Sequence, residues 1–225
     1  MPMWVPFDEP VPAAEAALAR RRARGWGLDD LVLLYSGNMG LGHRMGEFLE
    51  AAGRSGDNAV WAFAGGGRRR EEVERFAAAH PRARVQLLPY VAEEELAASL
   101  AAADVHLVSL RSPWQGLIVP SKLQAAFGLG RPVIFVGPRD SEPADWIAES
   151  GGGWVVGEGD VAGLLAAVAA AGDPGERRRR GEAARAYARL HFDREANTRR
   201  IAELLEETVY NRSHLSDPGG PIRVA

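Results

Sequence analysis

Of the 27 basic side chains in this sequence a single one is lysine, Lys122, and it follows Ser121 at the opening of a helical pattern. A chain that otherwise uses arginine for positive charge keeps a compact ammonium at this point. A helix N-terminus offers unpaired backbone N–H groups and a partial positive charge, which together suit an anion. A cation in the first turn opposes that dipole, so Lys122 suits a phosphate ligand better than helix stability, with chance placement of the one lysine as the other reading. Ser121 can cap the helix, and Gly128-Leu129-Gly130-Arg131-Pro132 ends it before a buried strand. A second loop, Ser36-Gly37-Asn38-Met39-Gly40-Leu41-Gly42-His43, has three glycines that let N–H groups approach a phosphate, with His43 near the following helix. A tight strand-to-helix turn is the other use of those glycines. Neither Gly-x-Gly-x-x-Gly nor the Gly-Lys-Ser/Thr P-loop occurs, so the usual dinucleotide and ATPase motifs are missing.

Other candidates are weaker. Gly65-Gly66-Gly67 also follows a strand pattern. Trp114 and Gln115, in the loop before Pro120, can line a sugar or base pocket, or Trp114 can pack on the domain surface. Glu142 and Asp145 follow Ser141, which can cap their helix; the acids complement its dipole, or Glu142 binds a hydroxyl. His106 lies inside a strand pattern and reads as a core or edge histidine. No Gly-x-Ser-x-Gly nucleophile elbow is present. Cysteine is absent and the five histidines are scattered, which excludes disulfides and Cys sites and leaves zinc unexpected. No cofactor is called for.

A net charge of −3 gives no general attraction to nucleic acid. The arginine runs at 20–22, 68–70 and 177–180 sit in helical patterns without interleaved aromatics. They read as solvated faces, with membrane-surface contact as the alternative. Met1 to Pro6 has neither the basic region nor the apolar core of a signal peptide, and no window is apolar enough to span a bilayer. The expected location is the cytoplasm, with peripheral contact at the inner face of the membrane left open.

The elements that must position these residues alternate. Short apolar runs at Leu31–Tyr35, Ala59–Ala64, Arg84–Leu88, Asp104–Ser109, Pro132–Val136 and Gly153–Val156 read as strands. Helical patterns run from about His43 to Arg54, Arg68 to Ala79, Glu93 to Ala103, Ser121 onward and Glu142 to Ser150. The chain then turns all-helical, over Val161–Ala171, Gly175–Leu190 and Arg194–Tyr210. The expected fold is α/β: a Rossmann-like parallel six-stranded sheet with helices on both faces and a helical C-terminal extension. Residues 1–28 form an N-terminal segment, the remnant of an interdomain connection, with 29–212 the domain and 213–225 a frayed tail. Ligands of such sheets sit beyond the carboxyl ends of the strands.

In order and register, Tyr35 through His43, Phe63-Ala64-Gly65-Gly66-Gly67, Pro120-Ser121-Lys122, Gly130-Arg131-Pro132-Val133 and Gly151-Gly152-Gly153 through Gly159-Asp160 resemble GT-B glycosyltransferases. The similarity is to retaining enzymes of bacterial exopolysaccharide synthesis, of the colanic-acid type, over roughly residues 30–210. The resemblance implies the C-terminal, nucleotide-sugar-binding half of a GT-B fold. Gly40 with its neighbouring amides and His43 would then face a diphosphate, with Ser121 and Lys122 opposite. Pro89, Tyr90 and Val91 would flank the base, beside Gly66. The donor would be a UDP- or GDP-sugar, with a glycan or lipid-linked acceptor. Leu117 and Ala125 stand where many relatives carry glutamates, so donor recognition is expected to differ, through Gln115, Gln124 or Glu142. Asn38 and His43 replace the usual basic pair. An acceptor half is expected from a separate N-terminal subunit, or the chain self-associates. A non-catalytic binding or scaffolding module with a decayed donor site is the competing class, and an NDP-sugar epimerase-like enzyme a further one.

Overall fold

The computed structural model describes residues 4–5 and 14–215, with side chains followed through residue 208. Six strands form one parallel sheet: β1 (Leu31–Ser36), β2 (Ala59–Ala64), β3 (Val85–Leu88), β4 (Val105–Ser109), β5 (Val133–Val136) and β6 (Gly153–Val156). Their order is β3-β2-β1-β4-β5-β6. Helices α1 (Ala14–Ala23), α2 (Gly46–Arg54), α3 (Arg70–Ala79), α4 (Glu93–Ala101), α5 (Lys122–Gly128), α6 (Glu142–Ser150), α7 (Val161–Ala171), α8 (Pro174–His191) and α9 (Arg194–Leu215) complete the described chain.

The strands are apolar on both faces because both are covered. In β1, Leu31, Leu33 and Tyr35 pack with Phe48 of α2 and Leu164 of α7, whereas Val32 and Leu34 pack with Ala17 of α1, Leu100 of α4 and Ala125 of α5. A third cluster joins Phe127 of α5, Ile147 of α6 and Ala184 of α8 to Val133 and Phe135. His106 is buried in β4 with Nε2 3.1 Å from the Leu100 carbonyl, so it is a core histidine.

Chain order reverses between β1 and β4. Successive crossovers carry the chain outward to β3, then back to β4 on the other side of β1. This switch opens a crevice between the loops that leave those two strands. Helix α1, by contrast, docks at the amino ends. Arg21 donates to the carbonyls of Gly27 (3.0 Å), Asp30 (2.5 Å) and Ala102 (3.1 Å) and pairs with Asp104 at 2.9 Å. These partners all precede β1 or β4, so α1 leaves the crevice open. The reading of the 20–22 run as a solvated face fails at Arg21, which is 7% exposed. The expected interdomain connection before α1 and the tail after Leu215 lie largely or wholly outside the described residues.

Candidate functional site

The loop after β1 is longer than its sequence pattern predicts. Helix α2 begins at Gly46 rather than near His43. The His43 amide donates to the Gly40 carbonyl (3.1 Å) and the Arg44 amide to Ser109 Oγ (3.0 Å), so neither serves the helix. The Arg111 amide in turn donates to the Gly42 carbonyl at 2.9 Å, which fastens the loops of β1 and β4 across the switch point.

The loop after β2 is fastened to the same segment. Gly37 N donates to Ala64 O (2.9 Å), Met39 N to Gly66 O (2.6 Å) and Arg69 N to Met39 O (2.9 Å). Gly67 holds φ +117°, and a Cβ there would sit 2.8 Å from the Met39 amide nitrogen, so glycine is required. The Tyr90 ring lies over the glycine turn. Cβ atoms added at Gly65 and Gly66 would be 3.1 and 3.3 Å from its edge, and the residue is 64% exposed. A flat, open aromatic face is thus held beside the glycine loops.

His43 and Lys122 meet at the centre. The His43 ring is buried, edge-on to Tyr35 at 5.9 Å between centroids. Its Nδ1 lies 2.7 Å from the Ser109 carbonyl, which only accepts, so Nδ1 carries the proton and Nε2 is a free lone pair. Burial lowers the His43 pKa to about 4, helped by the Lys122 and Arg69 charges and opposed by the Ser109 bond. The ring is neutral near pH 7. Lys122 Nζ stands 3.4 Å from that Nε2 and 4.9 Å over the Tyr35 ring. The ammonium has no carboxylate partner among the described residues, and burial lowers its pKa to about 8. One of its three N–H donors faces His43 and two remain for a ligand.

The other expected residues divide. Ser121 does not cap α5: its φ of −60° and ψ of −11° are already helical, and its side chain makes no capping bond. At seven residues α5 also has a short dipole, so Lys122 rather than the helix end supplies the charge. Buried Gln124, with its amide nitrogen turned toward the Pro120 and Ser121 carbonyls (3.3 and 3.0 Å), holds the loop and is not a donor contact. Gln115 Nε2 donates 2.7 Å to the Asp140 carbonyl and ties two rim loops together. Trp114 packs with Ile118 where a Cβ on Gly42 would fall, so it is a wall of the β1 loop. Ser141 sends its hydroxyl to the Pro138 carbonyl (2.6 Å) instead of capping α6. Glu142 is exposed in the first turn of α6, where it complements the dipole. Leu117 is 75% exposed and Ala125 lies in the core.

Three guanidinium groups missed in the sequence border the same rim. Arg44, Arg69 and Arg111, with Gly46, Glu47 and Glu72, line a cavity of about 170 Å³. Arg44 pairs with Glu47 and, at 3.4 Å, with Glu158, whose carboxylate also accepts from Ser112 N and Oγ. Arg69 pairs with Glu72 at 3.2 Å, while its buried Nε has no partner among the described residues. The 68–70 run is therefore not simply a solvated face. Among the described residues no group of three His, Cys, Asp or Glu could hold a metal, and no helix is long and apolar enough to cross a membrane.

No family model matches the sequence. A probable glycosyltransferase, WbjE of Pseudomonas aeruginosa, is 33% identical over 98 residues, 44% of this chain and 24% of that protein. Among solved structures, WaaG, a glycosyltransferase involved in lipopolysaccharide biosynthesis, superposes with TM-score 0.71 at 21% identity over 90% of this chain and 55% of its own. HepE of Anabaena, solved in complex with UDP-glucose, gives 0.73 at 17% identity over 87% and 54%. Sucrose-phosphate synthase of Thermosynechococcus elongatus gives 0.72 at 20% identity over 89% and 50%. The chain thus spans about half the length of these solved structures and about a quarter of the curated relative. The six-stranded parallel sheet, its helical layers and its switch point are the Rossmann-like fold of GT-B glycosyltransferases, of which this chain covers one part.

Proposed function

We propose that this chain is the nucleotide-sugar-binding domain of a glycosyltransferase. The carrying observation is Lys122: a partly buried ammonium with no carboxylate partner among the described residues, at the switch point and against Gly37 of the loop after β1. A nucleoside diphosphate supplies the missing counter-charge. The Lys122 ammonium and the loop amides from Gly40 to Gly42 hold the diphosphate, with Arg69 at the rim, and the base lies against Tyr90. His43 stays neutral and accepts from Lys122, so it aims the ammonium rather than adding charge. Charge that develops on a departing diphosphate is stabilised by these groups without a metal. The UDP-glucose complex of HepE, which shares the fold, supports a uridine-linked donor.

Transfer itself needs an acceptor and closure against a second domain, which aligns the reactants and excludes water. This chain by itself is expected to bind donor and not to transfer sugar. Calorimetric titration with UDP and GDP tests the reading, with Lys122→Ala weakening binding by about 1.5–3 kcal/mol, the range for a charged hydrogen bond. Robust turnover by this chain alone would reject the need for a second domain. A second reading, a binding module with a decayed donor site, draws on Leu117 and Ala125 standing where the resemblance expects carboxylates. Absence of any nucleotide binding by the wild type would favour it.

A further inference from the structure

A second cationic cavity lies at the opposite end of the sheet. It has a volume of about 420 Å³, between the turn that enters β5 and the first half of α8. Arg131, Arg177, Arg178 and Arg185 line it, together with Asp104 and Glu182. Asp104 is already engaged by Arg21 (2.9 Å) and by the Val32 amide (2.8 Å). Glu182 is exposed on α8, on the turn between Arg178 and Arg185. Among the described residues lining the cavity, Arg131, Arg177 and Arg178 thus share one carboxylate, Glu182, that is not already engaged.

Two arginines are fixed by backbone. Arg131 donates to the Ala101 carbonyl (2.6 Å), and its buried Nε has no partner among the described residues. Arg177 donates to the Ala171 and Gly172 carbonyls at 2.5 and 3.0 Å. Arg178 is exposed and has no ion-pair partner among the described residues. The frame is rigid, since Gly181 packs directly on the Gly130 carbonyl with no space for a Cβ. Burial lowers the Arg131 pKa, opposed by Asp104 and reinforced by Arg21 and Arg177, and an anion in the cavity would offset that penalty. Its size falls in the range of small-molecule pockets, about 300–1,000 Å³. Arginine forks match phosphate oxygens in geometry as well as charge.

We propose that this amino-end cavity binds a phosphate ester, separately from the crevice at Lys122, with Arg131 and Arg178 as its principal cations. The ester belongs to a soluble phosphorylated metabolite or to an anionic phospholipid headgroup, and two probes distinguish them. Glycerol 3-phosphate is titrated into 15N-labelled protein, and phosphatidylcholine vesicles with or without phosphatidylglycerol are tested by co-sedimentation. A soluble ligand gives saturable shifts at the amides of Gly130, Arg131, Gly181 and Glu182. A headgroup ligand gives sedimentation that needs phosphatidylglycerol and is lost in Arg178→Gln. In either case Arg178→Gln with Arg131→Gln is expected to weaken binding at least about tenfold, and Lys122→Ala to leave it unchanged. If Arg131→Gln unfolds the domain, the exposed Arg178→Gln alone decides. The proposal is overturned if neither probe binds, if shifts are confined to the Gly40–His43 loop, or if folded variants bind as the wild type does.

Discussion

Diphosphate binding through Lys122, as proposed, would depend on pH in a specific direction. Its free-state pKa of about 8 comes from burial without a counter-ion. A bound diphosphate reverses that cause and returns the group toward its ordinary range near 10.4. Binding then takes up protons wherever the free amine is partly neutral. The protonated fraction is about 0.9 at pH 7 and about 0.1 at pH 9, so UDP affinity is expected to fall about tenfold across that interval, about 1.4 kcal/mol. The nucleotide contributes little to this slope, because its terminal phosphate, with a pKa near 6, is ionised throughout. At pH 8 the complex should take up about half a proton, read as a buffer-dependent calorimetric enthalpy. His43 adds nothing here, since its ring titrates near pH 4. Lys122→Arg should bind more weakly at pH 7 but with flat affinity to pH 9, because its charge does not titrate. A flat wild-type profile, or the same slope in Lys122→Arg, would refute the reasoning.

Two stability effects follow from buried groups away from the crevice. His106, wholly enclosed, has its pKa lowered by burial to about 4 against 6.5 unfolded, so it stabilises the fold above pH 6.5 and this is lost as pH falls toward 4. The loss is at most about 3–4 kcal/mol, and His106→Asn should flatten the denaturant midpoint over pH 4–6.5 if that ring is responsible. Arg21→Ala strips three carbonyls of their side-chain donor and Asp104 of its ion pair at the amino end of the sheet. It should cost about 3–5 kcal/mol in urea unfolding, whereas an exposed pair such as Arg54–Glu50 should cost under about 1 kcal/mol.

The fold was legible because a parallel sheet covered on both faces leaves an unambiguous signature. Runs such as Leu31–Tyr35 and Ala59–Ala64 are apolar at every position, and the glycine turns mark where each ends. Helix starts were less legible, since they depend on partners distant in sequence. The His43 and Arg44 amides are taken by the Gly40 carbonyl and Ser109 Oγ, and no local pattern reveals that Ser109 will stand beside them. Capping failed for the same reason at Ser121 and Ser141, each a good capping residue whose backbone or hydroxyl is committed elsewhere. Arginine runs were the least legible. Adjacent residues of one helix point to different surroundings, so Arg21 is buried while Arg22 is exposed.

The composition signal at Lys122 can now be given a physical meaning. Its Cε fits against Gly37, where an added Cβ would come within 3.1 Å, and its Nζ sits over Tyr35 within reach of a single acceptor among the described residues, His43 Nε2. A guanidinium brings five donors in a planar fork and stays charged when buried, so in this niche it would leave donors unsatisfied. An ammonium is compact enough to turn its remaining donors toward a ligand. It also lightens the cost of an empty site by releasing a proton more readily than arginine can. A neutral histidine is the matching partner, because it accepts one hydrogen bond from the ammonium without cancelling the charge that a diphosphate needs. A carboxylate there would hold Lys122 as a salt bridge and compete with the ligand. On the proposed reading, the pairing of Lys122 with His43, rather than with Asp or Glu, leaves the crevice receptive to an anion.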